Sequence, residues 1–313
     1  MIHRNHLSAA PTVAIFILAL SACLAGVPRA AAAGDRPDRA GPDFAAVRRG
    51  LADGSFVPIA FQHPNSVVGH QDGRWEVSHL RWEVTPVKGL SWYAVPHRFA
   101  TARIDPAKAR QVIVGRHTIS PLLLHAFLIV TFDEGGLTVD GQSSQGLVLS
   151  VEPLLRRDQH SWKVPIEMGR GRFPKLYQLG TWEDHAVFSG GIMKQMAWLR
   201  PLRSADAETP CRLVEALIRF ATAAPATQPF DYKVNNCAAS LLPILAAALP
   251  PAEADRLRAV LAASEKPHEA RWFPKHLEKA GLLDGTKPVR LYRDNFFVPL
   301  ARLCRDFFPA RQR

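Results

Sequence analysis

The apolar positions of this chain change period along its length. Val13 to Leu20 is a short apolar block behind Arg4, well below the roughly 20 residues needed to span a bilayer. From 34 to 55 the pattern disappears, and Gly34, Pro37, Gly41 and Pro42 stand among alternating charges, the composition of a flexible tether. Residues 56 to 110 carry strand-like pieces, Trp75 to Val77 and Leu80 to Val84, between turn signals, which predicts a β- and loop-rich N-terminal region.

The centre is more apolar. Ala126 to Phe132 is nearly continuous, Asp133-Glu134-Gly135-Gly136 is a turn signal, and Leu147 to Val151 is a second run, so a buried antiparallel hairpin is expected. Further strand signals fall at Lys175 to Leu179 and Met196 to Leu199. The period then becomes helical. Thr209 reads as N-cap with Pro210 at the first helical position, and Leu213, Leu217, Phe220 and Ala221 recur on one face until Pro225. Ser240 to Leu249, Ala252 to Ala263, Pro274 to Ala280 and Pro299 to Phe308 read as further helices. The expected fold class is α+β: a core over 111 to 250 with a central antiparallel sheet, then a helical C-terminal region over 251 to 313.

Composition supports a folded body. Of 313 residues, 47% are hydrophobic and 21% charged, which excludes a disordered chain and a polytopic membrane protein. Net charge is +11, and Arg4 with Arg29 supplies +2 of it, leaving +9 on the remainder, a surplus that favours anionic neighbours. The N-terminal 33 residues read as a secretory signal. Two processing sites stay open: Leu20-Ser21-Ala22-Cys23 has lipobox form, with Cys23 as the lipidated residue and membrane attachment as the result, while Ala30 to Ala33 offers ordinary cleavage. Both place the mature chain outside the cytoplasm, in the periplasm or on a membrane. Cys211, Cys237 and Cys304 then remain; Cys211 with Cys304 is the natural disulfide pair, and two buried free thiols are the equal alternative.

Absent motifs narrow the chemistry. The chain has no glycine loop ending in Lys-Ser or Lys-Thr, no Gly-x-Ser-x-Gly elbow and no His-Glu-x-x-His helix. Ser189-Gly190-Gly191 reads as a loop. Basic residues are scattered, so no nucleic-acid partner is expected. His63, His70 and His79 have no metal spacing and read as ordinary histidines, leaving metal binding the weakest reading. No motif calls for a cofactor.

What remains is Asp231-Tyr232-Lys233-Val234-Asn235-Asn236-Cys237, leading from a loop into Ala238-Ala239-Ser240-Leu241-Leu242. A thiol at a helix N-terminus is biased toward thiolate by unpaired N–H groups. If Asn236 is the N-cap, Pro243 falls in the second turn and kinks the helix; if Ser240 is, Cys237 lies just before the helix. The plain alternative is a small buried cysteine on an alanine-rich helix. His125 opens the first central strand and is the best placed base. A symmetric register of the hairpin sets Glu152 beside His125, with Ser150 on the same face, the logic of a Cys-His-acid site.

His125 to Phe132, then Leu149-Ser150-Val151-Glu152 with Arg156-Arg157 downstream, then Asn235-Asn236-Cys237, resemble in order the landmarks of the Lnb N-terminal periplasmic domain family. That family is similar to circularly permuted papain-like and NlpC-type proteins, in which the His precedes the Cys. The resemblance runs from about Val114 to Leu249 and departs from the family form at Ala238-Ala239 and at Pro153-Leu154. It implies a permuted papain-like core with Cys237 as nucleophile, His125 as base and Glu152 as orienter, supported by Ser150 and Asn236. The resemblance itself implies no substrate; the activity expected of a Cys-His-acid site here is acyl transfer or amide or ester hydrolysis, with cell-wall peptide, lipid or protein of the envelope as candidate substrates. A non-catalytic envelope binding protein of the same fold is the competing class.

Overall fold

The computed structural model describes residues 42–120, 123–158, 171–204, 206–223, 226–283, 287–300 and 302–303. The signal segment with Cys23, and Cys304, lie outside the described residues. The strands in chain order are β1 (Ser66–Gln71), β2 (Arg74–Val84), β3 (His97–Ile104), β4 (Ala109–Ser120), β5 (Leu123–Phe132), β6 (Leu137–Val139), β7 (Gln142–Ser143), β8 (Gly146–Pro153), β9 (Phe173–Thr181), β10 (Met196–Pro201), β11 (Pro229–Phe230) and β12 (Val289–Tyr292). The helices are α1 (Phe44–Asp53), α2 (Trp182–Ala186), α3 (Thr209–Thr222), α4 (Cys237–Ala248), α5 (Pro251–Ala262) and α6 (Phe273–Lys279). The fold is α+β with a central, mostly antiparallel sheet, ordered β12-β10-β4-β5-β8-β9-β2-β3-β6-β7, while β1 pairs with β2 and β11 with β9.

β5 and β8 pair in the expected register, Phe127 facing Ser150 through to Thr131 facing Gly146. They do not form a simple hairpin. Between them β6 leaves to pair with β3, which puts β6 five strands away from β5. Across a flat sheet five spacings would cover about 24 Å, whereas the link Asp133–Gly136 reaches at most about 18 Å. The sheet therefore curls back on itself. Its concave face is lined by Val77, Ile104, Val114, Leu128, Val130 and Leu149, and these pack on the apolar sides of α3 and α4. The opposite face carries Ile113, Phe127, Ile129 and Val148, covered by Trp182 of α2 and by Phe296 and Leu300.

Several sequence expectations need correction. Residues 44–53 of the expected tether form α1, capped by Asp43 and packed through Val47 and Leu51 on Leu154 and Leu176; its apolar positions are too sparse to stand out among the charges. The β-rich region 56 to 110 is no separate prelude, since β1 to β3 join the one sheet. The C-terminal region is not purely helical, because β12 pairs with β10 at the sheet edge. α3 begins one residue early, with Glu208 at the cap, and its buried face is Leu213, Val214, Leu217, Ile218 and Ala221, while Phe220 is exposed. Ser189-Gly190-Gly191 is helical, within a π-helix Val187–Ile192. Any side chain at Gly190 would strike the Phe296 ring.

Candidate active site

Asn236 is the N-cap that starts α4: its side chain accepts from the Ala239 N–H at 3.1 Å and donates to Tyr232 O at 2.7 Å. The first alternative for this helix therefore holds, and Pro243 sits inside α4. The loop before it is pinned by reciprocal backbone bonds between Asp231 and Asn235. Cys237 is consequently the first residue of α4, where backbone N–H groups are left unpaired by the helix.

The thiol meets β5 at a gap in the sheet. The ladder between β5 and β8 ends at Phe127 and Ser150, and the next β5 amide, that of Ala126, donates to Cys237 Sγ at 3.3 Å. His125 projects on the Phe127 face, stacked beside His117 at 6.4 Å, and hydrogen-bonds the thiol. Its other nitrogen, Nε2, lies 2.8 Å from Ser150 Oγ. Ser150 in turn donates to Glu152 Oε1 at 2.8 Å. The serine hydrogen is thus committed to the carboxylate, so Nε2–H donates to Ser150 and Nδ1 is left to accept the Cys237 proton.

Glu152 does not lie directly against His125, as the register expectation had it. The carboxylate reaches the imidazole through Ser150, which moves the serine into the line of action. Gln62 holds Glu152 from behind, donating to Oε2 at 3.2 Å and to Pro153 O at 2.8 Å while accepting from the Leu155 N–H at 2.9 Å.

The electrostatics follow from these contacts. Burial alone would push the Cys237 thiol up, but His125 and the N–H groups of Ala126 and Ala238 outweigh it and hold the thiol below its ordinary value. For His125 burial works downward, and the Cys237 sulfur together with Glu152 overcomes it, so its pKa is raised. The pair is biased toward thiolate and imidazolium.

Residues that sequence reasoning missed complete the site. Lys175 is buried, 3% exposed, and Nζ donates to Asn235 Oδ1 at 2.5 Å and Gln228 Oε1 at 3.2 Å. Burial lowers its pKa to about 8, with Cys237 pulling the other way. The one available signal was a lysine inside an otherwise apolar strand pattern. Behind His125, His117 Nε2 and His185 Nε2 lie 2.8 Å apart, and Arg81 pairs with Asp184, which also bonds His97. These come from β2, β3, β4 and α2, and no local pattern connects them.

Among the described residues, no group of three or more His, Cys, Asp or Glu is arranged to hold a metal ion. His63 stacks on His79, and His70 on Trp75. Cys211 is a free, partly buried thiol on α3, and its expected pairing with Cys304 falls outside the described residues. Among the described residues no helix is long and apolar enough to cross a membrane. Comparison with protein-family models, curated proteins and solved structures finds no match to this chain.

Proposed function

We propose that this chain is an exported cysteine hydrolase or acyltransferase acting on an amide or ester of the cell envelope, with a permuted papain-like core of the Lnb N-terminal periplasmic type. The observation that carries the reading is the unbroken line Cys237, His125, Ser150 and Glu152, ending on a thiol at a helix N-terminus. Four side chains from three elements meet in a chemically ordered sequence, which a merely packed cysteine does not require.

In this mechanism His125 Nδ1 takes the Cys237 proton and the sulfur attacks the acyl carbon. The imidazolium that forms is stabilised through Ser150 by Glu152. It then protonates the leaving amine or alkoxide, and a water or acceptor hydroxyl, deprotonated by the same imidazole, releases the acyl group from sulfur. The Cys237 N–H at the start of α4 would serve the oxyanion, since Asn236 takes those of Ala239 and Ser240. The signal-like N-terminus and the lipobox at Cys23 support placement in the envelope, with anchoring by lipid if Cys23 becomes the mature N-terminus.

One observation favours the competing envelope-binding reading: Cys237 is only 3% exposed. Alkylation separates the two. A catalytic Cys237 is labelled by iodoacetamide at neutral pH faster than Cys211, with the modified peptide mapped by mass; labelling of Cys211 alone would leave the binding protein.

A further inference from the structure

The lysine beside the site lacks the partner that burial demands. Lys175 is a cation on β9, and among the described residues no carboxylate pairs with it; its two acceptors, Asn235 Oδ1 and Gln228 Oε1, are neutral. Burying an ammonium against neutral acceptors is costly; the Cys237 sulfur is the opposing charge that acts on it, and of its three donors these contacts use two. The residue is also not remote from solvent access. It forms the inner end of a cleft of about 270 Å³ walled by Tyr177, Phe220, Ala223 and Ala226, with Gln228 at its polar side. Phe220, which the helical pattern of α3 would have buried, is exposed on this cleft.

The cleft is tied to the nucleophile through covalent and hydrogen-bonded links. Lys175 holds Asn235, two residues before Cys237, and Tyr177 is hydrogen-bonded to Ser240 one turn into α4. The sulfur does not itself line the cleft, but Lys175 and Cys237 act on each other's charge. Ala221, Ala223 and Ala226 give the cleft apolar walls, and Lys175 and Gln228 add a positive charge and an amide.

We propose that this cleft is a substrate subsite for an acyl or peptidyl group that bears a carboxylate beside a short apolar group, the carboxylate received by Lys175 and Gln228. This rests on the thiol-acyl reading of Cys237 and gives it a substrate class. Lys175 is then a specificity-determining residue, selecting anionic substrates at a nucleophile that would otherwise accept neutral ones.

Two small thiol reagents of nearly equal size, iodoacetate and iodoacetamide, differ in that charge and test the idea on the full chain. Their rate constants at Cys237 are measured for the parent, Lys175→Met and Lys175→Arg, with thermal melting as the folding control. A change in thiolate population alters both rates alike, so their ratio isolates recognition of the anion. The iodoacetate to iodoacetamide ratio should fall about tenfold in Lys175→Met, the loss of one hydrogen bond to a charged group, and be kept in Lys175→Arg. An unchanged ratio in Lys175→Met overturns the subsite while leaving the nucleophile intact. Failure of iodoacetate alone in the parent overturns the subsite, and failure of both reagents to modify Cys237 overturns both readings. Should Lys175→Met fail to melt cooperatively, Lys175→Gln replaces it, and loss of folding in both identifies a purely structural lysine and rejects the proposal.

Discussion

His125 Nε2 and Ser150 Oγ are 2.8 Å apart just beyond the last paired rung of β5 and β8, and that single contact determines which imidazole nitrogen faces the sulfur. Because Ser150 also donates to Glu152, serine and carboxylate act on His125 in series. Ser150→Ala and Glu152→Gln should each slow alkylation of Cys237 about tenfold, the scale of one hydrogen bond to a charged group. The double variant should be no slower than the slower single, since groups in one line are non-additive. Additive losses in the double-mutant cycle would mean that Glu152 reaches the site by another route.

The pH profile has a defined sign. The thiol of Cys237 is held below its ordinary value and His125 above its own, so thiolate should appear at lower pH than in a free cysteine. In His125→Ala burial remains and the main opposing charge is gone. The alkylation midpoint should then move above the free-thiol value of about 8.5 rather than merely returning to it. Rate against pH for parent and variant measures this, and a midpoint indifferent to His125 contradicts the pairing.

The parts of the site legible in sequence were those with short-range signatures. The apolar runs at Ala126–Phe132 and Leu147–Val151 gave the register that brings Ser150 to His125, because a side-chain period of two leaves one choice once a face is buried. Asn236 and Cys237 announced a helix start. The intervening segment was misread as a hairpin because β6 pairs with β3, a choice made by the curl of the whole sheet and invisible in a local window. Lys175, Gln62 and His117 escaped for the same reason. Each owes its role to a partner on a distant segment, and only Lys175, a charge inside an otherwise apolar strand run, carries any local mark.

Gly115 lies opposite Phe127 on β4, and a Cβ there would come within 2.2 Å of the Phe127 ring. The missing side chain is what lets that ring lie flat against His117, 4.4 Å away. Gly115→Ala should destabilise the protein by about 1–3 kcal/mol, the range for overpacking, and lower the melting temperature by several degrees. It should also disturb His117 and slow Cys237 alkylation, whereas Gly141→Ala, which meets nothing within 4 Å though its φ is +78°, should leave the alkylation rate unchanged. A melting temperature unchanged by Gly115→Ala would contradict this packing.

Acid should destabilise the fold before the carboxylates titrate, because of His117 and His185. Both are buried with their Nε2 atoms 2.8 Å apart. Burial comes first for both, followed by the charges of His125 and Arg81 at His117 and those of His117, Arg81 and His125 at His185, and this holds both far below the ordinary histidine value. The surrounding groups are the Phe127, Phe296 and Trp182 rings, which offer no counter-charge. His97 is lowered as well, chiefly by burial, although Asp184 opposes it. A lowered folded pKa contributes stability that is complete above the unfolded value of about 6.5 and is lost as pH falls through it, since only the unfolded chain takes up the proton. Two such groups give a limiting slope of about 2.7 kcal/mol per pH unit. Melting temperature should fall through the window from about 6.5 to 5. His185→Gln, whose amide can still meet His117 Nε2, should reduce that slope by about half of the pair's share. A melting temperature flat across the window would show that the pair carries a proton in the folded state and that the line behind His125 is charged.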